Sequence, residues 1–290
     1  MNDFLQFVFS GLTVGAIYAL AALGFTIIYN ASGVINFAQG DFLMLGGMST
    51  VALIHLGLPP VAAALLAVAA TIIVAGLIQK LAVAPAGDAN VLTLIIITIG
   101  ASIFIQGVVQ IVLGKNQHTL ASFSGDAAIS VAGARLLPQS LWVISVAALM
   151  VALVGSFFRY TLLGKAMLAV SMNRMAAQMV GINHRMVLLL SFCLAGLLGS
   201  VAGIVATPIT TTVYDIGLML GMKGFVAASL GGLGSGVGAV AGGLIVGLLE
   251  ALIAGYVSSA YKDAVPFVLI IVILLLMPHG LFGAKVSERV

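Results

Sequence analysis

Charge is the scarcest property of this chain. Asp, Glu, Lys and Arg make up 7% of its 290 residues, against about 25% in soluble domains. Hydrophobic residues make up 62%, and the mean hydropathy is +1.27. These values exclude a soluble globular domain. The apolar runs are long and continuous, without the alternation of outer-membrane strands, which excludes a β-barrel. The remaining fold class is all-α, a polytopic integral membrane helical bundle forming one domain over 1–290. Cysteine is nearly absent. Cys193 is single and lies in an apolar run, so it forms no intrachain disulfide or cysteine metal cluster and reads as a small buried hydrophobe. The net charge of +3 is too small to require a nucleic-acid partner.

Motifs of catalysis are missing as well. There is no G-x-x-x-x-G-K-[ST] phosphate loop, no H-E-x-x-H and no G-x-S-x-G elbow. The Gly-rich stretch 231–247 holds no Lys and lies in an apolar run, so it cannot cradle a nucleotide phosphate. His55, His118, His184 and His279 are scattered at segment ends, without metal-ligand spacing. Asp41 and Glu250 are the only acids in or near apolar spans, too few for a catalytic dyad. No catalytic residue and no resident cofactor or metal is expected. The start, MNDFLQFVF, has no Lys or Arg before its apolar run, so it reads as a retained first helix rather than a cleaved signal.

What is present is membrane-spanning sequence. Candidate spans lie at about 4–29, 36–55, 60–79, 91–113, 141–158, 187–207, 216–233, 236–255 and 265–277, each judged against the roughly 20 apolar residues a crossing needs. About 8–10 transmembrane helices are expected, with 216–233 and 265–277 short or interrupted. Loop 159–186 carries Arg159, Lys165, Arg174 and Arg185 and no acid, which assigns it to the cytoplasm. Counting spans then puts the N-terminus outside and the tail 283–290, with Lys285 and Arg289, inside. Loop 114–140 falls outside despite Lys115 and Arg135. Ala127–Val131 followed by Gly133 suggests a small hairpin there, a plain surface loop or a contact surface for an external partner.

Polar residues inside apolar spans are functional candidates, since a mid-helix charge costs about 2.5–3.5 kcal/mol on insertion scales. Asn36, Gln39 and Asp41 form one cluster, between Gly33 and Gly40. It reads either as a broken helix lining a cavity or as a turn with side-chain caps. Lys223 lies inside the seventh span, with Asp215 and Glu250 as candidate partners. Gly11/Gly15, Gly199/Gly203, Gly238/Gly242 and Gly243/Gly247 have the spacing of close helix packing. A faint echo links Leu45-Gly46-Gly47 with Leu230-Gly231-Gly232, each after a polar interruption in a different half of the chain.

Loop 159–186 also has helical periodicity. Leu168, Met172, Met175, Met179 and Ile182 follow i, i+4, i+7, i+11, i+14 spacing, the apolar face of one short helix preceded by Gly164 and ending near Gly181. Lys165, Ser171, Arg174 and Gln178 lie off that stripe. Such a helix either lies on the bilayer or presents an adaptable methionine surface to a partner. The pattern alone leans to the bilayer.

Three blocks carry a resemblance. GLTVGAIYALAALGFTIIYNASGVINFAQGDFLMLGG (11–47), LLGKAMLAVSMNRMAAQMVGI (162–182) and KGFVAASLGGLGSGVGAVAGGLIVGLLE (223–250) resemble, in order, the signature blocks of bacterial branched-chain amino acid ABC transporter permeases. Met175-Ala-Ala-x-x-x-Gly181 is similar to the wider coupling motif Glu-Ala-Ala-x-x-x-Gly, with Met175 in place of the Glu. The resemblance implies a type II importer-like permease in the bacterial inner membrane. It implies a second permease subunit (a paralogue or a copy), two cytoplasmic ATPases that bind ATP and Mg, and a periplasmic substrate-binding protein. On that basis Leu168, Met172, Arg174, Met175, Gln178 and Gly181 are expected to contact the ATPase. Asn36, Gln39, Asp41, Lys223 and Glu250 are expected to line or gate the path. The alternative is a secondary transporter with Asp41 or Glu250 as its ion-coupling group.

Overall fold

Eleven α-helices and one small hairpin build the computed structural model, which describes residues 2–283 except 88, 126, 132, 133 and 278. In order they are α1 (Asn2–Ser32), α2 (Gln39–His55), α3 (Pro60–Ile78), α4 (Val91–Leu113), β1 (Ile129–Val131), β2 (Ala134–Leu136), α5 (Pro138–Tyr160), α6 (Leu162–Met172), α7 (Arg174–Met179), α8 (His184–Thr210), α9 (Ile216–Gly231), α10 (Gly236–Tyr256) and α11 (Val265–Leu276). A π-helical turn, Gln79–Val83, extends α3, and a 3₁₀ turn, Ser259–Ala264, precedes α11. Each of the nine expected spans contains a helix. Seven helical stretches among the described residues are long and apolar enough to cross a bilayer, whereas α2 and α9, at 17 and 16 residues, are shorter.

Local chemistry sets the boundaries. Pro60, Pro138 and Pro266 sit in the first turns of α3, α5 and α11, where a missing N–H costs nothing. Asn90, Thr161, Asn173, Asn183 and Ser235 cap α4, α6, α7, α8 and α10, each accepting a backbone N–H from the first turn. The N-cap residues of α2 and α9, Ala38 and Asp215, make no such bond. β1 and β2 pair antiparallel with Ile129 opposite Leu136, forming the expected hairpin; Gly133 lies outside the described residues.

The ends of the bundle follow from a few contacts. Gln6 exchanges hydrogen bonds of 2.8 Å with the backbone of Arg135, so the start of α1 sits at the hairpin end. The Leu281 and Phe282 N–H groups donate to the Leu230 and Gly231 carbonyls. Asn30 donates to the Gly234 carbonyl, so the close of α1, the α9–α10 turn and the last described residues share the opposite end, which also holds α6 and α7. Lys285 and Arg289, the basic residues of the tail, lie outside the described residues.

Buried α1 and α8 form the centre, and glycine lets their neighbours approach. A Cβ on Gly11 would lie 2.7 Å from Leu248 Cα, and one on Gly15 would lie 2.9 Å from Leu244 Cα. Gly243 and Gly247 return that approach from α10, against Ala19 and Gly15. Gly199 and Gly203 of α8 press on Phe42 and Leu43 of α2, and Gly238 and Gly242 press on Gly231 and Ala227 of α9. All four glycine pairs thus pack helix on helix, as their spacing indicated. Gly15→Leu is expected to force α1 from α10 and abolish a monodisperse peak in detergent chromatography. Gly107→Leu, whose Cβ meets nothing within 4 Å, is expected to elute as wild type.

Candidate functional site

Two helices begin inside the bundle, and this creates the polar centre. The Gln39 side chain donates to the Ala195 carbonyl at 3.2 Å. Phe42 faces Gly199, Leu43 faces Gly203, and Gly47 faces Thr207. The α2 start therefore lies beside the middle of α8, about 20 Å from either end of a helix about 40 Å long. The α9 start lies at the same depth. A Cβ on Gly217 would be 2.7 Å from the Gly40 carbonyl oxygen, and one on Gly221 would be 2.8 Å from Gly40 Cα. From there α2 runs to the hairpin end and α9 to the α6–α7 end. Residues 33–38 feed α2 from one side, and residues 211–215 feed α9 from the other.

This corrects two sequence expectations. The span 36–55 is not one helix; residues 36–38 are an irregular approach and α2 starts at Gln39. The matching interruptions meet at Gly40 and Gly217, not at the Leu-Gly-Gly echo: Gly46 lies within α2 against Ser200, and Gly231 closes α9.

The first cluster is buried among protein groups. Asn36, Gln39 and Asp41 are each at most 1% exposed. Asn36 Oδ1 accepts the Ala38 N–H at 3.1 Å, so it acts as the cap that Ala38 cannot be. Asp41 Oδ1 accepts from Gln106 Nε2 at 2.8 Å, and Gln106 also donates to Ser102. The Phe37 N–H reaches Thr98 Oγ1 at 3.2 Å. Both sequence readings thus hold in part: the helix is broken, and Asn36 is a turn cap. Gln106, Ser102 and Thr98 of α4 were overlooked, although polar residues in an apolar run were the available signal.

The second cluster is an ion-pair network. Lys223 Nζ lies 2.8 Å from Glu250 Oε1 and 2.6 Å from Asp263 Oδ1. Tyr18 donates its hydroxyl to Glu250 Oε2 at 2.9 Å, and the ammonium lies 5.6 Å from the Tyr18 ring centre. Of the two partners expected for Lys223, Glu250 is one and Asp215 is not. Asp263, from the 3₁₀ turn before α11, takes the second place, and its side chain is 47% exposed. The network ties α1, α9, α10 and the α11 approach together. Removing one partner of a buried pair costs about 3–5 kcal/mol. Lys223→Met is therefore expected to lower the unfolding midpoint of the detergent-solubilised chain steeply, with Glu250→Gln added to it recovering part of the loss.

The basic loop is two helices. Asn173, at φ −156° and ψ 103°, breaks the expected single helix and caps α7 through the Ala176 N–H at 2.9 Å. Leu168 and Met172 therefore lie on α6, Met175 and Met179 on α7, and Ile182 beyond both. Gly164 is inside α6, where Thr161 caps it, not ahead of it. Gly181, at φ +88°, closes α7: its N–H donates to the Gln178 carbonyl, and that of Ile182 to Ala177. Met167, Val170 and Ala177 face inward. Met172, Met175 and Met179 are 84%, 70% and 82% exposed, with Arg174 and Gln178 exposed beside them. A pocket of about 520 Å³ opens next to α7, lined by Arg174, Gln178, Arg185 and Gln79 among others.

Comparison with known proteins is consistent with this architecture. Residues 7–274 match the family model "Branched-chain amino acid transport system / permease component". The chain is 36% identical to the high-affinity branched-chain amino acid transport system permease protein LivH of Escherichia coli K12, over 99% of this chain and 98% of LivH. It is 33% identical to the corresponding BraD of Pseudomonas aeruginosa, over 99% and 98%. In fold it is similar to a chain of PsaBC from Streptococcus pneumoniae in complex with Fab, with TM-score 0.51 and 15% identity over 95% of this chain and 92% of that one. By full-length identity and family match, this chain belongs to the branched-chain amino acid ABC transporter permease family.

Proposed function

We propose that this chain is the translocation subunit of an ATP-driven importer that moves branched-chain amino acids, or closely related small solutes, from periplasm to cytoplasm. The observation that carries the reading is the α6–α7 pair, with its exposed methionines and neighbouring arginines, in a chain without a phosphate loop. A pathway without its own engine needs one from outside. In this reading Leu168, Met172, Arg174, Met175, Gln178 and Gly181 meet a cytoplasmic ATPase, which binds ATP and Mg. The α6–α7 end then faces the cytoplasm and the hairpin end faces the periplasm, in agreement with the four basic residues of loop 159–186. The N-terminus is periplasmic and the C-terminus cytoplasmic in an inner membrane. A second permease subunit completes the pathway, two ATPase subunits drive it, and a periplasmic binding protein delivers the solute.

The paired helices suit a lever. Asn173 and Gly181 fix both ends of α7 by hydrogen bonds, so a push on its outer face passes to Ala177 and on to α8 rather than being lost in a flexible loop. Asn36, Gln39 and Asp41 serve in this reading as the gate where α2 is hinged. Lys223 and Glu250 hold α9 and α10 together as that gate moves. Of the two candidate ion-coupling groups, Glu250 has both oxygens engaged, by Lys223 and Tyr18, whereas Asp41 has one oxygen engaged by Gln106 and the other without a hydrogen-bond partner among the described residues.

Affinity purification of the tagged chain is expected to bring down a stoichiometric ATPase. Solute uptake by the isolated chain in an ion gradient, without ATP, would overturn the proposal. Arg174→Glu is expected to abolish uptake and substrate-stimulated ATP hydrolysis while membrane insertion stays normal; retained coupling in that variant would remove Arg174 from the docking surface. Asn173→Ala is expected to cost about 1 kcal/mol at the α7 cap and to lower coupled uptake without changing ATP hydrolysis by the separate ATPase.

A further inference from the structure

At the α6–α7 end, four segments meet around one pocket: the π-helical turn Gln79–Val83, the first turn of α4, α7 and the start of α8. Its volume of about 520 Å³ is that of a small-molecule site. Leu94 and Leu188 supply apolar wall, and Gln79, Arg174, Gln178 and Arg185 supply polar groups. No acid lines it among the described residues. Asp88, next to the lining residue Gly87, lies outside them, and two arginines outnumber that one acid.

Gln79 marks the pocket as a binding site. It is only 3% exposed, and a side-chain amide buried without partners costs free energy. Yet its side chain makes no hydrogen bond to any described residue and lines the pocket instead. The π turn buries Gln79 and Val83 while Lys80 and Leu81 stay exposed. Such turns are rare and occur frequently at functional sites. The start of α8 does not supply the donors, because Asn183 Oδ1 already accepts the N–H groups of Arg185 and Met186. The Arg185 side chain, by contrast, forms no ion pair with a described residue. The site is therefore made by side chains.

An amide donor with guanidinium forks beside it suits an oxyanion, phosphate above all. The apolar wall beside those donors suits a phosphate that carries hydrocarbon. With the α6–α7 end in the cytoplasm, the pocket lies where helix ends meet the headgroups of the inner leaflet. Basic pockets between spanning helices at that level hold anionic headgroups. We propose that this pocket holds the phosphate of an anionic phospholipid, with Gln79 donating to it and Arg174 and Arg185 neutralising it. The bound lipid joins the close of α3 to α7 and α8, and so stiffens the base on which α7 is pushed. The leaflet rests on the orientation proposed for the importer; lipid binding itself needs neither ATP nor transport.

The test titrates the tagged chain, purified with the subunits that accompany it, in neutral detergent. The probes are dioleoyl phosphatidylglycerol and dioleoyl phosphatidylcholine, and bound lipid is read by native mass spectrometry. Phosphatidylglycerol is expected to bind about twentyfold tighter, the scale of two basic side chains beside an anionic lipid. Arg185→Gln, at an exposed position, is expected to reduce that preference to about fivefold. Gln79→Glu keeps the volume but sets a carboxylate against the phosphate, and is expected to abolish the preference. Gln79→Met serves if that variant does not elute as a single peak, and is expected to weaken binding about tenfold, the scale of a hydrogen bond to a charged group. Equal affinity for the two lipids in the unaltered chain overturns the proposal. A preference unchanged in Arg185→Gln and in the Gln79 variant also overturns it, since general attraction to a basic surface does not involve buried Gln79. Displacement of phosphatidylglycerol by millimolar inorganic phosphate assigns the site to the free ion and overturns the lipid assignment. Failure of an ATPase to co-purify sinks the importer reading alone, and the titration still decides on the lipid.

Discussion

The structure depends on one constraint: inside a bilayer, backbone that leaves the helix must be hidden or wetted. Two helices start near the middle of α8, at Gly40 and Gly217, and only glycine allows their backbones to approach as they do. On the α2 side of that junction, side chains answer the constraint. Asn36 caps the α2 turn, Thr98 accepts the Phe37 N–H, and Gln106 satisfies one oxygen of Asp41. The segment before α9 receives only part of such cover, from the His118 backbone. That asymmetry separates a packed approach to α2 from a partly exposed approach to α9.

A second set of interactions fixes the surroundings of the junction. Lys223 on α9 is held between Glu250 on α10 and Asp263 before α11, while Tyr18 on α1 completes the Glu250 site. Four elements distant in sequence thereby share one polar knot among apolar contacts. In an apolar environment such a knot specifies which helix faces which more than hydrophobic contact can, because lipid tails compete equally for apolar faces. At the α6–α7 end polar and apolar residues are partitioned by short helices instead. Asn173 and Gly181 break and close short helices so that apolar residues turn inward on one side and three methionines remain outward on the other.

Much of this was legible in the linear chain. Continuous apolar runs mark helices because a spanning segment must satisfy its own backbone, and each of the nine runs contains a helix. Proline or an Asn/Ser/Thr cap stands at eight of the eleven helix starts, a local signal that the apolar runs alone do not use. Glycine spacing marked close packing, and the cation Lys223 inside an apolar run pointed to Glu250. Other features were hidden for physical reasons. The i, i+4, i+7 stripe in 168–182 continues across Asn173 because periodicity carries no information about a single extended residue. Asp263 could not be matched to Lys223 because 40 residues and a reversal of chain direction separate them. Thr211 looks ordinary in the sequence, since its strained backbone is imposed by the close of α8 beyond Pro208 and by the pairing of Thr212 with His118.

The sequence by itself determined the class of molecule, the helical spans, the basic face and the family, because each rests on composition or on local pattern. Only the tertiary structure decided where α2 and α9 begin in depth, which acids neutralise Lys223 and which acid is left exposed. Those outcomes arise from helix against helix, where a glycine contact or an ion pair joins residues that local propensity treats independently. Asn36 and Asp215 are both polar residues beside an apolar run, yet one is sealed in protein and the other is exposed. The difference lies wholly in the neighbours that the fold brings to each.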